Sequence, residues 1–338
     1  MASITDVAKK AGVGVGTVSR VMSGKGYVSD KTKAKVLEAV RELNYVPNEM
    51  ARSLSQKRSN TIAIIVPNIS NFFYSIMVNE IEHRLRVLGY KTLLGNSFGE
   101  KTNEKNYLDL LDQNLVDGII TASNLLTEER YANISKPVVS LDSILSPDIP
   151  MVCSDHTEGG RIAAQMMIRA GCRHVLQFRD SVDSQIKARG KGAKVTVADF
   201  PYALRHISFE KEIKEAGIRY DEVPTNGAVG MAEQRHLAEK TFSLYPDVDG
   251  VMATDIIALQ YAHVALAHGR RIPEDLKVVA YDGTDLVKIF YPPLNAVVQS
   301  VPDIAEKTVE LLTRQINGEK IEQKKHIIPI STIENWKT

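Results

Sequence analysis

The sequence predicts an α/β protein in which a small all-helical head precedes a two-lobed body of doubly wound parallel sheets. Three observations lead to this prediction. Apolar residues recur at helical spacing from residue 3 to residue 43. After residue 60, continuous β-branched runs alternate with amphipathic stretches, starting with the run at 61–67. Glycines close the amphipathic stretches, as expected before a turn or strand, at Gly89, Gly171, Gly217, Gly269 and Gly318.

The formal net charge of +1 is the sum of two opposed parts of the chain. The 338 residues are enough for about two domains. Residues 1–60 carry eleven Lys and Arg against five Asp and Glu, a charge of +6, and the other 278 residues carry 31 against 36, a charge of −5. A basic head indicates contact with a polyanion, and a mildly acidic body indicates a different partner.

Several classes of protein are excluded by what the sequence lacks. No apolar run approaches the ~20 residues of a membrane-spanning helix, and no signal-peptide core is present, so we expect a cytoplasmic protein with no membrane partner. Cys153 and Cys172 fit no metal or redox spacing, and we expect two reduced, partly buried thiols. The glycines at 12, 14 and 16 follow no strand and have the wrong spacing for a dinucleotide site. We therefore expect no cofactor, no metal and no enzymatic activity.

The head is predicted to contain three short helices. Ser3 and Asp6 form a capping box for the first helix, Gly12 ends it, and the third helix starts near Ser29 or Asp30. The predicted buried stripes are Ile4, Val7, Ala8 and Ala11, then Val15, Val18, Val21 and Met22, then Val36, Leu37, Val40 and Leu43. A short helix, a glycine turn and a second helix with a small, polar outer face indicate a helix-turn-helix, which places its second helix in the major groove of DNA.

The residues of the second helix suit that placement. Val15, Gly16 and Thr17 are small enough to let the backbone approach the groove floor, while Arg20 reaches a guanine edge or a phosphate. After the third helix, Asn48 is a good N-cap for a helix at about 49–56. That helix is too short to be stable alone, so it either needs a twin helix and DNA or is an ordinary linker.

The head resembles the LacI/GalR (lactose-repressor) family of bacterial transcription regulators at residues 4–13, 17–21 and 43–48. The resemblance implies a hinge helix that folds in a dimer on operator DNA, with Leu54 wedged into the minor groove. Val15 and Gly16 match the base-reading pair, and Gly14 stands where many members have a capping Ser or Thr. The other positions expected to contact or cap at DNA are Thr5, Thr17, Ser19, Arg20, Tyr27, Ser29, Asn48 and Ala51.

The body resembles a periplasmic sugar-binding protein. Further strands are predicted at 116–121, 136–141, 174–178, 219–223, 249–254 and 277–281. The predicted domains are a helix-turn-helix headpiece at 1–46, a hinge helix and linker at 47–60, and an effector-binding and dimerisation domain at 61–338. Its two lobes are predicted as 61–155 with 285–300, and 156–284 with 301–338.

Ligands of open α/β sheets bind at the carboxyl ends of the strands, which selects the candidate effector residues. Polar or aromatic residues follow the predicted strands at Asn71, Phe73, Tyr74, Asp142, Thr254, Asp255 and Asp282. Carboxylates there suit acceptance from vicinal hydroxyls, although N-capping of the next helix explains each of them as well. Arg205 matches the arginine of the family's Arg-x-x-Gly-Phe motif, with Ser208 in place of Gly. The basic stretch at 180–202 is a solvated loop, a cover for the cleft, or a contact for a phosphate on the ligand.

The resemblance implies a sequence-specific repressor of carbohydrate-utilisation genes, whose operator affinity responds to a small sugar or sugar phosphate bound between the lobes. We expect a homodimer on a pseudo-palindromic operator, because no leucine heptad of a tetramer follows the last predicted strand. The general similarity of the regions 71–73 and 94–97 to those of family members implies a role in sucrose, fructose or ribose utilisation. The alternatives are regulation by a phosphorylated carrier protein or a non-sugar corepressor and, more distantly, a Rossmann-like enzyme.

Overall fold

A computed structural model of the protein describes residues 2–24, 26–46, 58–126, 128–134, 136–179, 199–225 and 230–336. The chain forms two compact units, residues 1–59 and residues 60–338. Among the described residues, no helix combines the length and the apolar character needed to span a membrane. The first unit is the predicted helical head, and the second is the predicted α/β body.

The described residues of the head form three helices, α1 at Ile4–Ala11, α2 at Val15–Ser23 and α3 at Asp30–Glu42. The capping box is confirmed: the Asp6 amide donates to the Ser3 hydroxyl, and the Ser3 amide donates to the Asp6 carboxylate over 2.8 Å. The Thr32 amide likewise donates to the Ser29 hydroxyl at the start of α3. The small core of the head consists of Val7, Ala8, Ala11, Val18, Val36 and Ala39, with Ile4, Val21, Met22, Val40 and Leu43 packed around it.

Two predicted core residues of the head are exposed instead. Val15 is 42% exposed because it opens α2, where no preceding helical turn covers it. Leu37 is 41% exposed because the buried stripe of α3 runs through Val36 and Ala39, and the residue after Val36 is turned about 100° away from it. The prediction that these two side chains are buried was wrong.

The first lobe of the body is built on a six-stranded parallel sheet in the order β11-β5-β4-β3-β1-β2. Its strands are β1 at Thr61–Val66, β2 at Lys91–Asn96, β3 at Gly118–Thr121, β4 at Val138–Leu141, β5 at Met151–Ser154 and β11 at Lys325–Ile328. Strand β1 is buried on both faces, as its β-branched run predicts.

The second lobe has a six-stranded sheet in the order β12-β10-β9-β8-β6-β7, parallel except for β12 against β10. Its strands are β6 at His174–Arg179, β7 at Arg219–Pro224, β8 at Gly250–Thr254, β9 at Lys277–Asp282, β10 at Asn295–Gln299 and β12 at Ile330–Ile333. The predicted two-lobed α/β fold is confirmed, and each strand range given above from the sequence overlaps an observed strand.

The helices of the body lie between these strands along the chain. They are α4 at Phe72–Val87, α5 at Lys101–Asp112, α6 at Glu128–Ala132, α7 at His156–Arg169, α8 at Leu204–Glu215, α9 at Met231–Leu244, α10 at Asp255–Ala267, α11 at Asp285–Ile289 and α12 at Val301–Ile316. The glycines at 89, 171, 217, 269 and 318 all have positive φ, as predicted for residues that follow a helix.

The division of the C-terminal third between the lobes was predicted wrongly. Strand β10 pairs with β9, so the segment 285–300 belongs to the second lobe. Helix α12 packs against α4 and the first sheet, because its apolar stripe fits the core there. The chain crosses once more between β11 and β12, so residues 301–328 belong to the first lobe and only the residues from 330 onward return to the second. Among the described residues, the chain therefore crosses between the lobes three times.

Candidate functional site

The outer face of α2 carries the residues predicted to read DNA. Val15, Gly16, Ser19 and Arg20 are exposed, and Val18 on the opposite side is fully buried. Thr17 is half-buried. The helix therefore presents a face of small and polar side chains, as a reading helix requires.

The Arg20 side chain lies beside two glycines on this face. A Cβ added at Gly26 would lie 3.4 Å from Arg20 Cδ, and one added at Gly16 would lie 3.9 Å from its Nη2 atom. The Arg20 side chain is exposed beside these glycines. An exposed guanidinium is the side chain that most often reads guanine, and it also binds phosphate.

The other predicted DNA contacts of the head are also at its surface. Thr5 and Ser29 are exposed, and Tyr27 is 91% exposed. Asn48, Ala51, Leu54 and the hinge helix at 49–56 lie outside the described residues, as does most of the 180–202 stretch. The role of each named residue at DNA stays a prediction.

In the body, four predicted effector residues from both lobes come together at the strand ends. Tyr74 lies on α4 and Asp142 follows β4 in the first lobe, while Arg205 lies on α8 and Asp282 ends β9 in the second. Burial raises the pKa of Tyr74, and the charges of Asp142 and Asp282 raise it further while Arg205 lowers it. The charges of all three ionisable side chains affect the Tyr74 hydroxyl, which indicates that the four side chains are near neighbours.

Asp282 is connected to two of the chain crossings. Its Oδ1 atom accepts a hydrogen bond from Gln299 Nε2 over 2.7 Å, and Gln299 Oε1 accepts from the Ser154 hydroxyl over 2.7 Å. Burial, with the charge of nearby Asp255, raises the pKa of Asp282 well above its usual range, while Arg205 lowers it. Two hydrogen bonds in series therefore join this carboxyl to Gln299, next to the second crossing, and to Ser154, next to the first.

A buried histidine connects the two lobes beside this cluster. His156 Nε2 lies 2.8 Å from Asp142 Oδ1 in the first lobe, and its Nδ1 lies 3.1 Å from the Tyr281 hydroxyl in the second. Burial raises the pKa of Tyr281, so the phenol is protonated at neutral pH. The two ring nitrogens of His156 thus contact one polar group in each lobe, with the donor at each contact set by the tautomer of the ring. The Arg205 guanidinium lies over the Tyr281 ring, 4.8 Å from its centroid.

The remaining predicted effector residues have structural contacts of their own. The Asn71 side chain caps α4 by accepting from the Phe73 amide over 3.0 Å, and Phe73 is packed in the core of the first lobe. The Asp255 carboxylate accepts from the Gly283 and Thr284 amides and from the Thr284 hydroxyl. Thr254 occupies the N-cap position of α10 without a capping side-chain bond. An effector role for these four residues stays a prediction.

The buried Asp255 carboxyl gives the body a specific pH dependence. Burial raises its pKa from 3.8 to about 6 against the opposing effect of its hydrogen bonds. The folded protein therefore holds this proton more tightly than the unfolded chain, so its contribution to the free energy of unfolding decreases as pH rises through that window. Relative to Asp255→Asn, we expect the wild type to lose about 2 kcal/mol between about pH 4 and 6. Chemical denaturation of both proteins at several pH values measures this loss. If the free energies of unfolding of the two proteins change equally with pH across this range, the result contradicts the assignment.

A Gly-x-Ser-x-Gly pattern between β2 and α5, at Gly95–Gly99, has the setting of a hydrolase nucleophile and was missed in the sequence. Ser97 is 1% exposed, and its hydroxyl accepts from the Ser123 hydroxyl over 3.0 Å. In the part of the chain that the structure describes, no hydrogen bond joins Ser97 to a histidine.

Sequence reasoning also missed His156, Tyr281 and Gln299. His156 follows the short strand β5, which was not predicted, and Gln299 ends a strand that was assigned to the other lobe. Tyr281 lies within a β-branched run and reads as an ordinary core residue. Cys153 and Cys172 are both buried free thiols, and burial raises the pKa of each to about 12. Among the described residues, no cluster of His, Cys, Asp and Glu could hold a metal ion.

A helix-turn-helix head followed by a two-lobed α/β body with a polar interlobe cluster defines a class of protein: the DNA-binding regulator with a body like a periplasmic binding protein. Comparison with known proteins gives the family. Residues 3–48 match the lacI family of bacterial regulatory proteins, and residues 164–334 match the periplasmic binding protein-like domain. The chain belongs to the lacI family.

Similar proteins cover nearly the whole chain. The sucrose operon repressor of Streptococcus mutans is 36% identical over 98% of both chains. The ribose operon repressor of Halalkalibacterium halodurans is 32% identical over 98% of this chain and 96% of its own. The structure of the Lac repressor bound to ONPG in the repressed state has a TM-score of 0.78 at 23% identity over 98% of both chains, and shares the fold.

Proposed function

We propose that the protein is a repressor of carbohydrate-utilisation genes that binds operator DNA through its head and changes its operator affinity when a small sugar binds between the two lobes. The observation that carries the proposal is the presence, in one chain, of an exposed small-and-polar reading helix and a cluster of polar side chains from both lobes. The whole-length similarity to repressors named for the sucrose and ribose operons supports it.

The head supplies the DNA-binding half. Its exposed α2 face offers Arg20 as a base or phosphate contact, and the +6 charge of residues 1–60 attracts the polyanion. We propose that the protein acts as a homodimer, because two copies of one short reading helix bind a pseudo-palindrome more tightly and more specifically than one.

The body supplies the regulatory half. Asp142 and Asp282 provide carboxyl oxygens and Arg205 provides a guanidinium donor, which suit the hydroxyl groups of a sugar. A sugar that binds one arrangement of the lobes better than another shifts the population toward that arrangement. Since Asp282 and His156 are bonded to the crossing segments and to both lobes, they are the groups through which the shift takes place. This is linkage between two binding sites and involves no catalysis.

Thermal melting in the presence of a panel of sugars tests the proposal. We expect sucrose, D-fructose, D-ribose or one of their phosphates to raise the melting temperature of the full-length protein. A ligand at 100 times its dissociation constant adds about 2.7 kcal/mol to the free energy of unfolding. The same sugar should change binding to a DNA site selected by the protein from a random pool. Absence of any melting shift across the panel would contradict the sugar-effector proposal.

Asp282→Asn is the matched variant for that panel. It removes the carboxylate and keeps the side-chain size, so we expect the sugar-induced shift to shrink while binding to the selected DNA without sugar persists. An unchanged shift in this variant would place the sugar elsewhere than at the interlobe cluster.

A further inference from the structure

His206 is a buried histidine with unused hydrogen-bonding capacity next to the interlobe cluster. It is 2% exposed, and neither Nδ1 nor Nε2 has a hydrogen-bond partner among the described residues. A buried polar group without a partner costs free energy, and native proteins retain few of them. Such a group is expected where a ligand completes its hydrogen bonds.

The position of His206 indicates which binding site it adjoins. On α8 it continues the buried stripe of Phe209 and Ile213 toward the helix start. Its ionisable neighbours are Arg205, Arg179 at the end of β6, and His156 at the start of α7. All three lie at the edge of the second sheet where its strands end, which is the edge that carries Asp282. Arg205 and Asp282 are themselves 6% and 9% exposed, so low exposure is shared by this whole cluster.

The environment also determines the protonation state of the ring. Burial, together with the positive charge of Arg205 and Arg179, lowers the pKa of His206 well below its usual range. The imidazole is therefore neutral at pH 7, with one nitrogen as a donor and the other as an acceptor. A neutral polyol offers hydroxyls that match both nitrogens, whereas an anion can use only the donor.

We propose that His206 is a sugar-contacting residue of the second lobe, whose two ring nitrogens bind hydroxyl groups of a neutral sugar and contribute to the choice of effector. The inference rests on the proposed function of the cleft. It adds a residue that neither the strand-end pattern nor the arginine motif indicates, since His206 is a non-motif position beside Arg205.

The test compares His206→Leu with His206→Gln, using His174→Leu as the control. His174 is a second buried histidine of the same lobe, but its Nε2 lies 2.8 Å from Asp221 Oδ2. Without sugar, His206→Leu should melt about 2 °C higher than the wild type, because the substitution removes an unsatisfied polar group. His174→Leu should melt lower, because it breaks a hydrogen bond that is present.

The sugar arm of the test uses sucrose, D-fructose and D-ribose on the full-length protein. His206→Leu should bind the sugar that stabilises the wild type about 10-fold more weakly. His206→Gln, which keeps a donor and an acceptor, should recover most of the affinity, and His174→Leu should keep it. A merely structural role for His206 would lower the melting temperature and leave the affinity unchanged.

Two results would overturn the inference while leaving the proposed function intact. The first is destabilisation or misfolding of sugar-free His206→Leu. This result would show that the ring nitrogens already have hydrogen-bond partners in the sugar-free protein, for instance a buried water molecule. The second is a His206→Leu protein that binds the sugar as tightly as the wild type. If no sugar stabilises the wild type, the proposed function fails, and the inference fails with it.

Discussion

Arg20→Ala is expected to weaken binding to the operator by about 10-fold or more, since one bidentate contact to a guanine is worth about 1–3 kcal/mol. The side chain is exposed on α2, and its removal leaves the core around Val18 intact, so the fold should persist. Fluorescence anisotropy on the selected DNA measures the loss, and circular dichroism confirms the helix content. Repeating the titration at several salt concentrations tells a base contact from a phosphate contact, because only the latter reduces the salt slope by about one.

The control for Arg20→Ala is Asp282→Ala, measured without sugar. We expect this variant to bind the operator nearly as tightly as the wild type, because Asp282 belongs to the body and contacts Gln299 there. Equal losses in the two variants would contradict the division of labour between head and body.

Gly160→Ala is expected to destabilise the body by about 3 kcal/mol. The added Cβ would lie 2.1 Å from the Arg205 carbonyl oxygen and 2.2 Å from the Ser208 hydroxyl oxygen. The first of these atoms is backbone of α8, so the two helices must separate, and this cost exceeds the gain of about 1 kcal/mol that alanine brings to a helix. Chemical denaturation of the two proteins at pH 7 measures the difference.

Thr157→Val, at an exposed position of the same helix, is the control for Gly160→Ala. It changes an α7 side chain without approaching α8 and should alter the free energy of unfolding by less than about 0.5 kcal/mol. A Gly160→Ala protein as stable as the wild type would show that α7 and α8 lie further apart than the structure has them.

The close contact at Gly160 also explains a departure from the family motif. Ser208 stands where the motif has Gly, and its hydroxyl donates to the Leu204 carbonyl over 2.9 Å. The room for this side chain comes from the facing helix, because Gly160 has no Cβ to meet it. A larger residue at 160 would thus disturb the start of α8, which carries Arg205 and His206.

The strand runs and the head could be predicted because their signals are local. The β-branched run at residues 61–66 indicates a strand buried on both faces from its own composition alone, and residues 62–66 are buried. Which sheet a five-residue strand joins depends on hydrogen bonds to a strand far away in the sequence. The residues of β10 therefore do not indicate that it pairs with β9 in the second lobe. In the head, the helical period was correct, but Val15 and Leu37 lay at the exposed margin of their stripes.

Part of the candidate site was predictable, because the carboxyl ends of parallel strands meet at one edge of a sheet. Asp142, Arg205 and Asp282 follow from sheet topology and the arginine motif, and the structure brings them together with Tyr74. Asn71 and Asp255 illustrate the competing use of the same residue types, since one caps a helix and the other secures a loop. His156 was not predictable because its significance depends on a contact with Asp142 that crosses between the lobes.

The three crossings between the lobes have a consequence for synthesis of the chain. The reading helix of the head is complete within the first 24 residues, but the first lobe lacks an edge strand until Lys325–Ile328 emerges, and the second lacks one until Ile330–Ile333. At 5–20 residues per second, roughly 15 to 60 s separate these events. A nascent chain therefore presents its DNA-reading helix well before it has a sugar-responsive body, and premature termination anywhere before residue 325 leaves both lobes unfinished.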